Sequence, residues 1–260
     1  MKLNRRYVEK PWGRARLPAA FDTPADKKIG EVWFTNGSDL PLLVKYIFTS
    51  EPLSIQVHPD DEQARAHGLS HGKNECWYIL DADPGASIGL GLKREVSADE
   101  LSGAALDGSM KDLVDWRSVQ PGDFYLVPAG TIHAIGAGVS LVELQQNVDV
   151  TYRLYDYGRP RELHVEDAVA AARREPFPEA FAQHLSAEDE RVLVDTAQFT
   201  LVHGRTDTLR DRRRWVVPLE GQVRCESDVA GPGDCLVVES GATLICEGAR
   251  TLTAASGPLS

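Results

Sequence analysis

Residues 122–133 read GDFYLVPAGTIH. A Gly-Asp pair opens a run of aromatic and aliphatic residues, and Pro128-Ala129-Gly130 closes it ahead of His133. The run has the composition of a β-strand, and Pro-x-Gly that of a turn folding one strand back on another. A weaker copy stands at 233–244, GDCLVVESGATL, in the same register. There Glu239 replaces the proline and Leu244 the histidine. Two copies of one strand-and-turn device predict two β units, the second a scaffold without the histidine.

Outward from this stretch the chain keeps the same chemistry. PLLVKYIF (41–48), LSIQVH (53–58), ECWYIL (75–80), DFYLVP (123–128) and SLVELQQ (140–146) are apolar, β-branched or aromatic, and bounded by Gly, Pro, Asp or Ser. Many short strands at close spacing predict a sandwich or barrel. Two stretches read as helical. Residues 97–116 open with Ser97 and Glu100, the spacing of a capping box. Residues 165–185 start acidic and run through alanines until Pro176 and Pro178 interrupt them. The expected organisation is a first β unit over 1–165 with a helical excursion near 97–116, a helical linker over 166–190, and a smaller β unit over 191–260.

Gross composition narrows the function. The 260 residues are 42% apolar and 26% charged, an ordinary globule with enough chain for a buried core. The net charge of −11 argues against a nucleic-acid partner, which needs a basic footprint. It leaves room for a small anion held by a few local cations. The four cysteines form no C-x-x-C pair and are expected to be free thiols of a reducing compartment. The start, MKLNRRYVEKPWGR, carries no apolar signal core, and no run is long enough for a bilayer. The expectation is a cytoplasmic protein without a membrane partner. Oligomeric state is not readable.

The polar residues of one apolar run point to chemistry. SIQVHPDD (54–61) places Gln56 and His58 two apart, on one strand face and roughly 7 Å from each other. Pro59 ends the ladder just after them. Glu75 opens the next strand after AHGLSHGKN, and His133 ends the opening stretch. Two imidazoles, one carboxylate and one amide make an N/O ligand set for a divalent ion, with a position left for water or substrate. The amide oxygen leaves Mn²⁺, Fe²⁺, Co²⁺ and Ni²⁺ open beside Zn²⁺. His67 and His71 read as surface residues.

These stretches resemble a known family. The ligand spacing is similar to that of cupins, which implies jelly-roll β-barrels with a few helices. PLLVKYIFTSEPLSIQVHPDD, GKNECWYIL, VQPGDFYLVPAGTIHAIG and TYRLYDYGRPRELH, with PWG (11–13) and GEVWF (30–34), look like class I mannose-6-phosphate isomerases of the short bacterial form. The likeness covers roughly residues 30–165. One departure is that only residues 35–40 separate GEVWF from PLLVK, where relatives carry a helical insertion.

The resemblance implies interconversion of mannose 6-phosphate and fructose 6-phosphate through an enediol. The implied ligands of one divalent ion, most simply Zn²⁺, are Gln56, His58, Glu75 and His133. Arg153 matches the family's active-site arginine, suited to an enediolate. Lys73 matches a family lysine near the reacting carbons, with Asp149 the rival for proton transfer. Lys45, Ser54 and Arg159 fall at the family's phosphate contacts. A non-catalytic sugar-phosphate-binding cupin is the alternative on the same residues. Gln56 in place of a histidine argues against an iron oxygenase.

Overall fold

The computed structural model describes residues 1–24, 26–37 and 40–259. In chain order the first strands are β1 (Asn4–Arg14), β2 (Ile29–Thr35), β3 (Leu42–Phe48) and β4 (Ile55–Val57), followed by helix α1 (Asp61–Ala66). Then come β5 (Glu75–Ala82), β6 (Ser87–Leu92), helices α2 (Ala98–Asp107) and α3 (Met110–Leu113), and β7 (Val114–Ser118). Strands β8 (Asp123–Val127), β9 (His133–Ile135), β10 (Val139–Gln146) and β11 (Tyr152–Tyr155) lead to α4 (Val165–Ala171) and β12 (Ala182–His184). The rest is β13 (Arg191–Asp195), β14 (Phe199–Gly204), β15 (Arg214–Glu220), β16 (Val223–Cys225), β17 (Asp228–Ala230), β18 (Leu236–Val238) and β19 (Arg250–Ser256).

The protein is mainly β. A seven-stranded sheet runs β1-β2-β3-β10-β5-β8-β12, and a five-stranded sheet runs β11-β4-β9-β6-β7. A third, β13-β14-β19-β15-β18, and the hairpin β16-β17 come from the last quarter of the chain. The alternation of β3 shows how they stack. Val44, Tyr46 and Phe48 face Leu201, Trp215, Leu252 and other residues of the third sheet in one core. Ile47, with Trp77 and Leu141, faces Ile88, Leu90 and Ile135 of the five-stranded sheet in another. The seven-stranded sheet is therefore buried on both faces, which is why β3 is apolar at every position but Lys45. Each fully buried large apolar side chain stabilises this arrangement by about 1.5–3 kcal/mol. The outer face of the five-stranded sheet is covered by α2, α3 and α4, through Ile55, Leu101, Met110 and Ala168.

The duplicated stretch folds twice in the same way. Asp123 Oδ2 accepts from Gln120 N at 2.9 Å, and Asp234 Oδ2 from Gly231 N at 3.1 Å. Gly122 and Gly233 both hold φ of 92°, where a Cβ would be strained. Thr131 N reaches Pro128 O, and Ala242 N reaches Glu239 O, both at 3.1 Å. The neighbouring strands agree: Glu75 faces Val127 across β5 and β8, while Arg214 faces Val238 across β15 and β18. In the second copy an arginine stands where the first has Glu75.

Two helical expectations are corrected. The stretch 97–116 is helix only as far as Leu113. Gly108 turns left-handed at φ 84° to end α2, and Val114–Ser118 is a strand because it pairs with β6 (Leu92 to Val114, Gly89 to Trp116). Ser97 Oγ accepts from Glu100 N at 3.1 Å, but the Glu100 carboxylate turns out to Arg94, so half of the expected capping box is missing. A complete box lies at α1, where Asp60 accepts from Gln63 N and the Gln63 side chain accepts from Asp60 N. In the second stretch the helix stops at Ala171, before the prolines. Arg173 N is drawn to Gly130 O at 2.8 Å, and Ala182–His184 joins the seven-stranded sheet against β8. The tertiary partners take backbone groups that a longer helix would have used internally. In the short β2–β3 link, Ser38 and Asp39 lie outside the described residues. No described helix is long and apolar enough to cross a membrane, and all four cysteines are free.

Candidate metal centre and substrate cavity

Sheet register assembles the centre. Arg153, Gln56, His133 and Leu90 form one cross-strand row over β11, β4, β9 and β6. Glu75 enters from the facing sheet at the start of β5, and His58 follows β4 directly. One ligand atom each from His58, Glu75 and His133 lie within 4.8 Å of one another, and all three residues are buried. His58 Nε2 is 3.4 Å from Glu75 Oε2, and His133 Nε2 is 3.4 Å from Glu75 Oε1. His133 Nδ1 lies 2.9 Å from Thr131 O, so it donates there and leaves the Nε2 lone pair facing the cluster. Gln56 Nε2 is 3.3 Å from His133 Nε2, while its Oε1 accepts from Ser54 Oγ at 3.1 Å. Rotating the amide by a half-turn exchanges the two and presents Oε1 to the cluster, with Ser54 then accepting.

The chemistry of this donor set fits a divalent ion. Both Glu75 oxygens and His58 Nδ1 are buried without a hydrogen bond among the described residues. Burial, then the neighbouring Lys73 ammonium, pushes the His58 imidazole down to about 3. Burial also lowers His133. Burial alone would raise Glu75, but the Lys73 ammonium overrides it and holds it well below the usual carboxylate range. Two neutral imidazoles and one carboxylate are the protonation states a metal ion requires.

Lys73 Nζ is 3.0 Å from Glu75 Oε2 and 3.0 Å from His58 Nε2. Burial would lower its pKa, yet the carboxylates of Glu75 and Glu143 raise it above the ordinary lysine value. It stands here as an ammonium. Gln56 and Lys73 form the floor of a cavity of about 290 Å³. This size sits at the small end of ligand pockets, which run about 300–1,000 Å³. Ser54, Lys45, Asp149 and Arg153 also line it, while His58, Glu75 and His133 are buried beside Gln56 and Lys73 and do not reach the lining. Arg159 belongs to neither group. Its Nη2 donates to Pro52 O at 2.5 Å and its Nε pairs with Asp156, away from the lining.

Sequence reasoning missed Lys10, Glu31, Trp33, Glu143 and Arg161, which line the cavity as well. The first four were recoverable from alternation. Trp33, Lys45, Glu143 and Trp77 form a second cross-strand row, one position per strand on the face that carries Lys45. Lys45 Nζ is 2.9 Å from Glu143 Oε1, also donates to Gln145 Oε1, and sits 4.8 Å over the Trp33 ring. Glu143 Oε2 accepts from Trp77 Nε1 at 3.2 Å, and the Trp77 ring packs edge-on against His133. Arg161 lies in a loop without periodicity, and no pattern marked it.

Residues 23–90 match the family model for the phosphomannose isomerase type I catalytic domain. The mannose-6-phosphate isomerase ManA of Bacillus subtilis (strain 168) is 38% identical over 175 residues, which is 64% of this chain and 55% of that protein. A mannose-6-phosphate isomerase of Streptococcus mutans is 42% identical over 141 residues, 52% of this chain and 44% of that protein. The chain thus spans about half the length of the curated relatives it matches. The solved structure of the Bacillus subtilis mannose 6-phosphate isomerase superposes with a TM-score of 0.77 at 27% identity, covering 97% of this chain and 98% of that one. Over part of its length the chain is thus similar in sequence to type I phosphomannose isomerases, and over nearly all of it similar in fold to one of them.

Proposed function

We propose that this protein is a metal-dependent aldose–ketose isomerase acting on mannose 6-phosphate and fructose 6-phosphate. The observation that carries the proposal is the buried His58–Glu75–His133 cluster, touched by the Lys73 and Gln56 side chains that line a charged cavity also holding Arg153. His58, Glu75, His133 and Gln56 would hold the ion, and Zn²⁺ suits the two-imidazole, one-carboxylate set. When bound, the ion would supply Lewis-acid polarisation of substrate oxygen, worth several kcal/mol. Each β unit is read as a cupin-type jelly roll, the first catalytic and the second a scaffold. The free thiols fit a cytoplasmic setting.

The residues of the chain then divide the work. Isomerisation removes the C2 proton of the aldose, moves that electron pair into a C1=C2 enediolate, delivers a proton to C1 and shifts the O2 proton to O1. Atoms and electrons balance without a co-reactant. Asp149, the exposed carboxylate of the lining, takes and returns the carbon-bound proton. Lys73, protonated and 3.0 Å from a ligand imidazole, donates to the developing oxyanion. Arg153 keeps its charge at every working pH and faces the enediolate from the Gln56 row. The test is proton NMR of mannose 6-phosphate with metal-loaded protein in D₂O. The expected result is fructose 6-phosphate carrying solvent deuterium at C1. Binding without interconversion would leave the protein a sugar-phosphate receptor.

A further inference from the structure

A phosphate dianion needs free hydrogen-bond donors and uncompensated positive charge, and the two walls of the cavity differ in both. On one wall the ammonium of Lys45 is spent. It has three N–H bonds, and Glu143, Gln145 and the Trp33 ring take them. Lys10, the other cation there, pairs with Glu31 at 3.2 Å. Two cations thus face two carboxylates, and Trp33 Nε1 donates to Glu31 at 2.5 Å. Ser54 is engaged with Gln56. A dianion placed here would meet two carboxylates, with only the Lys10 ammonium, already paired with one of them, holding donors to spare.

The opposite wall is built from the turn after β11. Arg159 and Arg161 pair with one buried carboxylate, Asp156, and Arg153 lies within range of its charge without contacting it. The other nearby carboxylates, Asp149 and Glu162, are exposed and water-screened. Arg161 Nε and Nη2 grip Asp156 at 2.5 and 2.6 Å, which fixes the guanidinium plane and leaves Nη1 without an acceptor among the described residues. Arg153 Nη1 donates to Glu162 O at 2.6 Å, and its Nε is buried with no acceptor. Arg159 braces the turn against Pro52 and lies over the Tyr157 ring. Tyr157 itself is held at φ 53°, a costly conformation for a bulky residue, by its edge-on stack on Tyr155. The turn is therefore a rigid mount that aims Arg161 and Arg153 into the cavity.

We propose that Arg161, beside Arg153, seats the substrate's phosphate, and that the Lys45–Glu143–Glu31–Trp33 wall faces the sugar hydroxyls instead. This rests on the reading of the site as a sugar-phosphate isomerase. Arg161 then sets the preference for phosphorylated over free sugar. The planar fork matters, because Nη1 and Nη2 can present parallel N–H bonds to two phosphate oxygens.

The experiment compares metal-loaded wild type with Arg161→Met, Arg161→Lys and Lys45→Met. Two quantities are read: the affinity for inorganic phosphate by calorimetry, and the ratio of kcat/KM for mannose 6-phosphate over free mannose. Phosphate contact with the ion is common to all four proteins and cancels. Arg161→Met is expected to lower both by roughly 10- to 100-fold, the scale of a charged hydrogen bond. Arg161→Lys keeps the Asp156 pair and the fold, and should fall between. Unchanged phosphate affinity in both Arg161 variants, or its loss in Lys45→Met instead, overturns the proposal. Arg161-dependent phosphate binding without turnover by wild type would sustain the phosphate seat and refute the isomerase reading. Turnover with Arg161-independent phosphate binding would refute this proposal alone.

Discussion

Glu75 has both carboxylate oxygens out of reach of water, set among Lys73, His58 and His133. Glu75→Gln keeps the shape and removes the charge that holds all three. It leaves Lys73 a buried ammonium without its nearest partner, a change that costs about 3–5 kcal/mol. Metal content by emission spectrometry should fall more than about tenfold, and the denaturation midpoint of metal-stripped protein should fall with it. The imidazoles add a pH dependence. His58 is depressed to about 3 from 6.5, so below 6.5 the unfolded chain takes up a proton that the folded chain refuses. His133 is depressed too, with the same sign. Stability of the metal-stripped protein should therefore be full above pH 6.5 and decline as pH falls toward 3, by up to about 1.4 kcal/mol per pH unit per imidazole. Urea midpoints at pH 7, 6 and 5 check this, and a flat series would contradict it.

At the scale of elements, what aligns the centre is the way loops press on strand ends. Gly72 lies against Pro59 and Asp60 so closely that a Cβ would sit 2.3 Å from Asp60 C and 2.5 Å from Pro59 O. Lys73 N donates to Pro59 O at 3.0 Å in the same clamp. Gly72→Ala must push His58-Pro59 away from Glu75, with an overpacking cost of about 1–3 kcal/mol. Both Tm and metal affinity should drop. Gly103→Ala, in α2 with open space around it, should instead raise stability by about 0.5–1 kcal/mol. The same contrast explains what the sequence made legible. Strands β3, β5, β8 and β10 were visible because their alternation and turn residues are local. So was the grouping of His58, Glu75 and His133, which open a strand or directly follow one. Strand β7 and the short α4 were not, because pairing with β6 and the Arg173–Gly130 bond are long-range and outweigh a helical pattern. Arg161 was invisible for the same reason, since Asp156 and the folded turn give it its direction.

Across the whole molecule, the last quarter of the chain covers the rear of the sheet that carries Lys45, Glu75 and Glu143. Trp215, Leu201 and Leu252 seal the face of Val44, Tyr78 and Val142. A chain ending at residue 190 would expose that face, and it is expected to aggregate or lose near-UV circular dichroism. The duplicated register gives a second test. Arg214, at the place of Glu75, is fully buried and bound to Asp207 at 2.5 Å and to Ala242 O at 2.9 Å. A fixed guanidinium there holds together strand ends and loops that an ion would hold in the first unit. Arg214→Met should destabilise by about 3–5 kcal/mol by stranding Asp207, yet leave metal stoichiometry unchanged.

The central claim is that the His58–Glu75–His133 cluster binds the ion on which isomerisation depends. Its most direct test is to titrate Zn²⁺ into metal-stripped wild type and His133→Ala while recording fructose 6-phosphate formed from mannose 6-phosphate. The account predicts activity in wild type that rises with occupancy and saturates at one ion per chain, and no comparable rise in His133→Ala. Full turnover by metal-stripped wild type or by zinc-titrated His133→Ala would contradict it. So would one bound ion per wild-type chain with no turnover under zinc, manganese, cobalt or iron.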